Sequence, residues 1–335
     1  VSDDLPLLQI GRPGQIPVGA PAAAGGCGCG DHGDDFDVDP MECGLDPQLA
    51  GLLSEAGLDP VQVEEIAHLA LEEDLDGGAD VTTLATVPED SASTADFTAR
   101  TDGTVAGLHV AVAVLSVIGG DELEIEQHVE DGARVEAGQV LLTVTGPTRD
   151  LLTGERSALN LLGRLSGIAT ATRAWADALE GTAAKVRDTR KTTPGLRALE
   201  KYAVRAGGGV NHRSSLSESA LIKDNHVVAA GGVAEAFRAV REEFPGLEIE
   251  VEVDRLDQIP PVLAEGADLI LLDNFTVEET REAVALVAGR SRLESSGGLE
   301  LGTARAYAET GVDYLAVGAL THSAPVLDIG LDLRA

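Results

Sequence analysis

EIEVEVD (248–254), DLILLDN (268–274) and RLESSGG (292–298) each run through an apolar body and end on a polar or glycine residue. Working outward, the same pattern occurs upstream in AKVRDTR (184–190), GVNHR (209–213) and ALIKDN (220–225), and downstream in YLAVGAL (314–320). Apolar runs of this kind are strands covered on both faces, as in a parallel sheet. Helical patterns at 195–206, 231–243, 276–288 and 302–309 separate several of them. Strand and helix in alternation give either a doubly wound sheet or an α/β barrel. The strand ends decide between these. They carry Arg190, Arg213, Lys223, Glu252, Asp273, Ser296 and Gly318, and only a barrel gathers so many C-terminal ends on one face, where barrels keep their active sites. Seven candidate strands predict an open, seven-stranded barrel.

Outside this region the pattern changes. We expect an N-terminal α/β domain over 46–160, the barrel over 161–324, and a terminal strand within 325–335 that returns to the first domain. The segment 59–75 has Val61, Val63, Ile66, Leu69 and Ala70 at helical spacing. Strands follow near 95–100 and 104–107, then an apolar helix at 109–118. The stretch 124–146 reads as short strands joined by glycine turns. It looks like a biotinyl or lipoyl carrier domain, but residues 1–184 contain no lysine for attachment. LLTGERSALNLLGRLSGIATATRAWADALEG (151–181) predicts one long helix, or a helix pair broken around Gly167. Residues 1–45 form a Gly/Pro/Ala-rich, then acidic leader, expected to be flexible. Its Cys27, Cys29 and His32 could bind metal, although their spacing is tighter than in the usual zinc sites. No basic segment followed by an apolar run opens the sequence, and no run approaches the length of a membrane span. A cytoplasmic enzyme without membrane partners is the expectation.

The formal net charge is −33, which argues against a nucleic-acid partner. All four lysines, however, lie between Lys185 and Lys223, together with five arginines and only three acids, so this window carries 9 − 3 = +6. Such a concentration in an acidic chain points to an anion-binding pocket. Arg190, Lys191, His212, Arg213 and Lys223 sit at the first three strand ends. Guanidinium groups suit carboxylates, which they bind in bidentate fashion. Glu252 and Asp273, on the next two ends, suit Mg²⁺ or ribose hydroxyls. The glycine turns at Ser296, Gly297 and Gly318 suit a phosphate, because backbone N–H groups can approach it closely. The ring therefore asks for a ligand with carboxylates at one end and a phosphorylated sugar at the other.

ERSALNLLGRLSGIAT (155–170), DTRKTTPGLRALEKYAVRAGGGVNHR (188–213), LIKDNHV (221–227), LLDNF (271–275), ESSGG (294–298), VDYLAVGALTHS (312–323) and LDIGLDL (327–333) resemble the quinolinate phosphoribosyltransferases. The resemblance spans about residues 50–335. It implies an N-terminal α/β domain on an open seven-stranded barrel, assembled as dimers or larger even oligomers. It also implies transfer of phosphoribosyl from phosphoribosyl pyrophosphate (PRPP) to quinolinate with decarboxylation, a step of NAD biosynthesis that uses Mg²⁺. Carried over by motif, Arg190, Lys191, His212, Arg213 and Lys223 would bind quinolinate, and Arg156 would reach that pocket from the partner subunit. Glu252 and Asp273 would serve the ribose and Mg²⁺, with Lys191 a further catalytic candidate. Ser296, Gly297 and Gly318 would hold the 5-phosphate. Where the family usually has Gly and Asp, this chain has Ser215 and Glu218. The rival readings are a related transferase acting on another aromatic acid, or a phosphosugar-binding protein without activity.

Overall fold

The computed structural model describes residues 8–9 and 43–334. The Cys27, Cys29 and His32 cluster, and the question of the leader's flexibility, lie outside the described residues.

The first unit is a five-stranded antiparallel sheet packed on helices. Its strand order is Leu8–Gln9, Glu124–Gln127, Val140–Pro147, Ala92–Ala99, Ile329–Leu333. Several of its helices start on the same local signal. Asp46 and Asp59 precede Pro47 and Pro60, and their carboxylates accept the N–H groups of Gln48 and Val61 at 2.8 and 3.1 Å. An aspartate cap satisfies an orphan donor, and proline at the first helical position costs no hydrogen bond. The helix Pro60–Leu75 buries Val63, Ala67 and Leu71. Val63 belongs to the apolar set expected from sequence and Ile66 packs partly buried against the core, whereas Ala67 and Leu71 lie outside that set and Leu69 is 65% exposed. The burying partner is the helix Leu108–Gly119, apolar on nearly every face and packed also against the helix Thr148–Ala178.

Thr148–Ala178 is one continuous helix of 31 residues, without the break considered at Gly167. Gly167 is there for close approach. A Cβ at this position would run into the Pro325 carbonyl, where the chain leaving the barrel crosses the helix. Leu327 N–H donates to Gly163 O at 3.0 Å one turn earlier. The crossing delivers Ile329–Leu333 to the edge of the first sheet, antiparallel to Ala92–Ala99.

The second unit is an open parallel barrel, with six strands rather than seven. Their order is Lys185–Arg187, Tyr314–Ala316, Arg292–Ser296, Leu269–Asp273, Ile249–Val253, Ala220–Ile222. GVNHR does not form a strand; it makes a single bridge, Val210 to Arg187. The reason is Asp188. Its carboxylate takes the His212 backbone N–H at 2.7 Å, a donor a ladder would have used, and is steadied by the Asn211 side-chain amide at 2.6 Å. Lys201 Nζ completes this buried junction, 2.6 Å from Asp188 and 2.7 Å from the His212 carbonyl.

Candidate active site

The C-terminal mouth of the barrel opens into a cavity of about 310 Å³ whose lining includes Arg190, Lys191, His212, Arg213, Lys223 and Ser296. Leu221, Leu271 and Ala316 supply its apolar wall. The quinolinate set expected from the sequence, Arg156 aside, is thus gathered in one place. The larger cation cluster is not. Lys201 is tied to Asp188, and Arg197 and Arg205 donate to the Ser214 and Ala56 carbonyls. Lys185 opens its strand, at the opposite end of the barrel from this mouth.

Two observations mark the cavity as built for anions. Arg190 Nε and Arg213 Nε are buried and have no hydrogen-bond partner among the described residues. Burial, and then the charge of Arg190, pull the Arg213 pKa below the usual guanidinium range. Buried donors without acceptors are costly, and crowded cations repel, so an anion supplied from outside relieves both.

Glu252 and Asp273 end neighbouring strands, with Leu271 of the second registered against Glu252 of the first. Lys223 Nζ lies 2.7 Å from Glu252. Burial raises the Asp273 carboxyl, and the nearby charge of Glu252 raises it further. Gly297 has φ +88° and packs against Asn274, itself left-handed at φ +58°. A side chain at Gly297 would collide with the Asn274 amide. The Asn274 N–H donates to Ser296 O at 2.8 Å, fixing this turn beside Asp273. Gly318 lies against Lys191 and His322. Arg156 is exposed on the long helix, does not line its own chain's cavity, and makes no ion pair among the described residues; the Glu155–Arg156 pair considered from sequence is not formed as a contact.

The sequence reading missed the layer beneath the cavity. Arg187 Nη1 donates to Glu294 Oε2 at 2.8 Å. His212 Nε2 lies 2.7 Å from Glu250 Oε2 and 3.8 Å from Glu294 Oε1. His212 Nδ1 accepts the Arg213 N–H at 2.7 Å, so in the neutral ring the proton sits on Nε2, facing the carboxyls. Burial lowers the His212 pKa to about 4. Burial also lifts both carboxyls to about 7, with their mutual repulsion adding to the effect at Glu294. Three potential ligand atoms lie close together here, but Arg187 already occupies one carboxylate and a proton blocks Nε2. The layer is not a metal site. Alternation was the available signal: Glu250 stands two residues before Glu252 and shares its face, as Glu294 does with Ser296.

A parallel barrel with a cationic cavity at its C-terminal mouth, flanked by paired carboxylates and a glycine turn, has the layout of a barrel enzyme that acts on an anionic ligand. The comparisons narrow this class. The quinolinate phosphoribosyl transferase N-terminal domain matches residues 80–166, and the C-terminal domain of the same family matches 168–332. The nicotinate-nucleotide pyrophosphorylase [carboxylating] of Mycobacterium leprae is 56% identical over 286 residues, covering 84% of this chain and all of the relative. The probable enzyme of the same name from Bacillus subtilis is 39% identical, over 82% of this chain and 94% of its own. The crystal structure of NadC from Streptococcus pyogenes superposes with a TM-score of 0.79 at 40% identity, covering 83% of this chain and 99% of that one. This chain belongs to the quinolinate phosphoribosyltransferase family.

Proposed function

We propose that the chain transfers the phosphoribosyl group of PRPP to quinolinate and decarboxylates the product, giving nicotinate mononucleotide, CO₂ and pyrophosphate. The observation that carries this reading is the pair of buried Nε atoms of Arg190 and Arg213, without partners among the described residues, beside Lys191 and Lys223 in one cavity. Two carboxylates on one ring use such a set fully, whereas a monocarboxylate leaves it over-charged. Held by its carboxylates, quinolinate can present its ring nitrogen in line with ribose C1. Ser296, Gly297 and Gly318 would take the 5-phosphate, with glycine at the turn so that backbone can approach.

Glu252 and Asp273 fit Mg²⁺: they are hard oxygen donors on adjacent strands, and Asp273 is raised partly by the charge of Glu252, a repulsion a divalent cation relieves. When bound, the ion would neutralise charge on the departing pyrophosphate. Lys223 pairs with Glu252 and thereby links the carboxylate pair to the quinolinate pocket. Exposed and outside its own cavity, Arg156 is suited to complete the pocket of a partner subunit in a homodimer or larger even assembly. The direct test is to supply quinolinate and PRPP with and without Mg²⁺ and measure CO₂. Release that needs all three is expected. Comparable turnover of nicotinate would replace quinolinate as the substrate.

A further inference from the structure

Replacing a ring carboxylate by hydrogen consumes a proton, and Glu294 is placed to give it. The carboxyl is fully buried yet lines the cavity that holds the substrate-binding cations. Its Oε2 accepts from Arg187, while its Oε1 has no hydrogen-bond partner among the described residues. Glu250 carries a second buried carboxyl close by, and the neutral His212 ring stands between them. One guanidinium cannot stabilise two buried carboxylates and leave both ionised without cost, so the layer has room for a stored proton. The other acids on the wall are less suited. Lys223 is engaged with Glu252 at 2.7 Å, Lys191 is exposed to solvent and is already assigned to a substrate carboxylate, and the arginines do not deprotonate.

We propose that Glu294 is the acid that protonates the pyridine carbon from which CO₂ departs. The inference rests on the decarboxylating reading above. In the N-ribosylated intermediate the bond between ring carbon 2 and its carboxylate breaks, and CO₂ leaves. The electron pair stays on carbon 2, stabilised by the adjacent cationic nitrogen. That pair then takes the proton of Glu294 Oε1, a carbon–hydrogen bond forms, and Glu294 becomes a carboxylate held by Arg187. Water from the open mouth restores its proton after product leaves. No electron is gained or lost by the protein. The groups facing Glu294 are Arg187, His212 and Glu250 from the layer itself, Arg190, Lys191, Arg213 and Lys223 from the wall, and Tyr314, registered beside it. Its pKa, raised to about 7, leaves a large share of the donor protonated at neutral pH, where an ordinary carboxyl would be ionised.

The test compares wild type with Glu294→Gln, which keeps the shape and an acceptor for Arg187 but has no acidic proton, and with Glu294→Asp. Quinolinate binding by calorimetry and kcat for CO₂ release are measured from pH 6 to 9. We expect Glu294→Gln to lose about a hundredfold in kcat while its quinolinate Kd stays within about threefold of wild type. Wild-type kcat should fall as pH rises through the neutral range, and Glu294→Asp should retain part of both the rate and that fall. A Gln variant within about threefold in kcat, or one whose whole loss lies in quinolinate Kd, overturns the proposal. So does a wild-type kcat that is flat over the range, whether or not either variant folds. If wild type itself releases no CO₂ from quinolinate and PRPP, the failure belongs to the proposed function instead.

Discussion

Lys191 and Arg213 share one cavity wall but are held very differently. Arg213 is buried, and its Nη1 donates to Ser219 O at 2.5 Å, so truncating it disturbs the loop as well as the pocket. The Lys191 side chain is exposed, and its backbone is held independently when Thr321 Oγ1 donates to its carbonyl at 2.8 Å. Lys191→Ala is therefore the cleaner probe. Leaving a bound carboxylate unpaired costs roughly 2–5 kcal/mol, so quinolinate Kd should rise about thirtyfold or more at an unchanged melting temperature, as calorimetry can show. Glu294 allows a test by stability alone. A carboxyl raised from 4.5 to about 7 binds its proton more tightly folded than unfolded. Its contribution is complete below about pH 4.5 and is lost as pH rises through about 7. The melting temperature of Glu294→Gln, relative to wild type, should accordingly climb between pH 5 and pH 8; a constant difference would contradict the raised pKa.

At the level of helices and strands, the sequence made the barrel readable because strand bodies are apolar and strand ends are not. Glu252, Asp273 and Ser296 stood out at those ends and lie at the mouth. Two things stayed hidden. GVNHR has the composition of a strand, and nothing local reveals that Asp188, 24 residues before His212, will capture the His212 backbone N–H. Glu250 and Glu294 sit inside strand bodies, where a charge reads as an interruption until Arg187 and His212 arrive from distant segments. Gly167 was read as a helix breaker because propensity marks it as one, whereas its use is steric. Gly167→Ala should thus lower stability although alanine favours helix, because backbone rather than a flexible side chain blocks the new methyl. Overpacking of this kind costs about 1–3 kcal/mol, or a melting temperature lower by roughly 2–4 °C per kcal/mol. A rise in melting temperature would show that the crossing strand yields.

On the scale of the whole molecule, a body of net charge −33 carries four of its scarce cations on one cavity wall. Arg156 stays apart from them, exposed on the helix that joins the two units. If it serves a partner's pocket, Arg156→Ala and Arg190→Ala should each be nearly inactive and should complement when mixed. Random exchange makes half the dimers mixed, each with one intact site and one doubly damaged site. About a quarter of wild-type activity should then return; none, once exchange has been shown by mass, would place Arg156 outside the site. The crossing at Gly167 has a consequence of another kind. Ala92–Ala99 pairs on one side with Val140–Pro147 and on the other with Ile329–Leu333, so the sheet built from early residues keeps an open edge until residues some 230 positions later have been made. At ribosomal speeds of about 5–20 residues per second, that edge waits on the order of ten seconds or more in the nascent chain. During this interval it can pair with other strands, and the first unit cannot be completed until the last strand has cleared the ribosome.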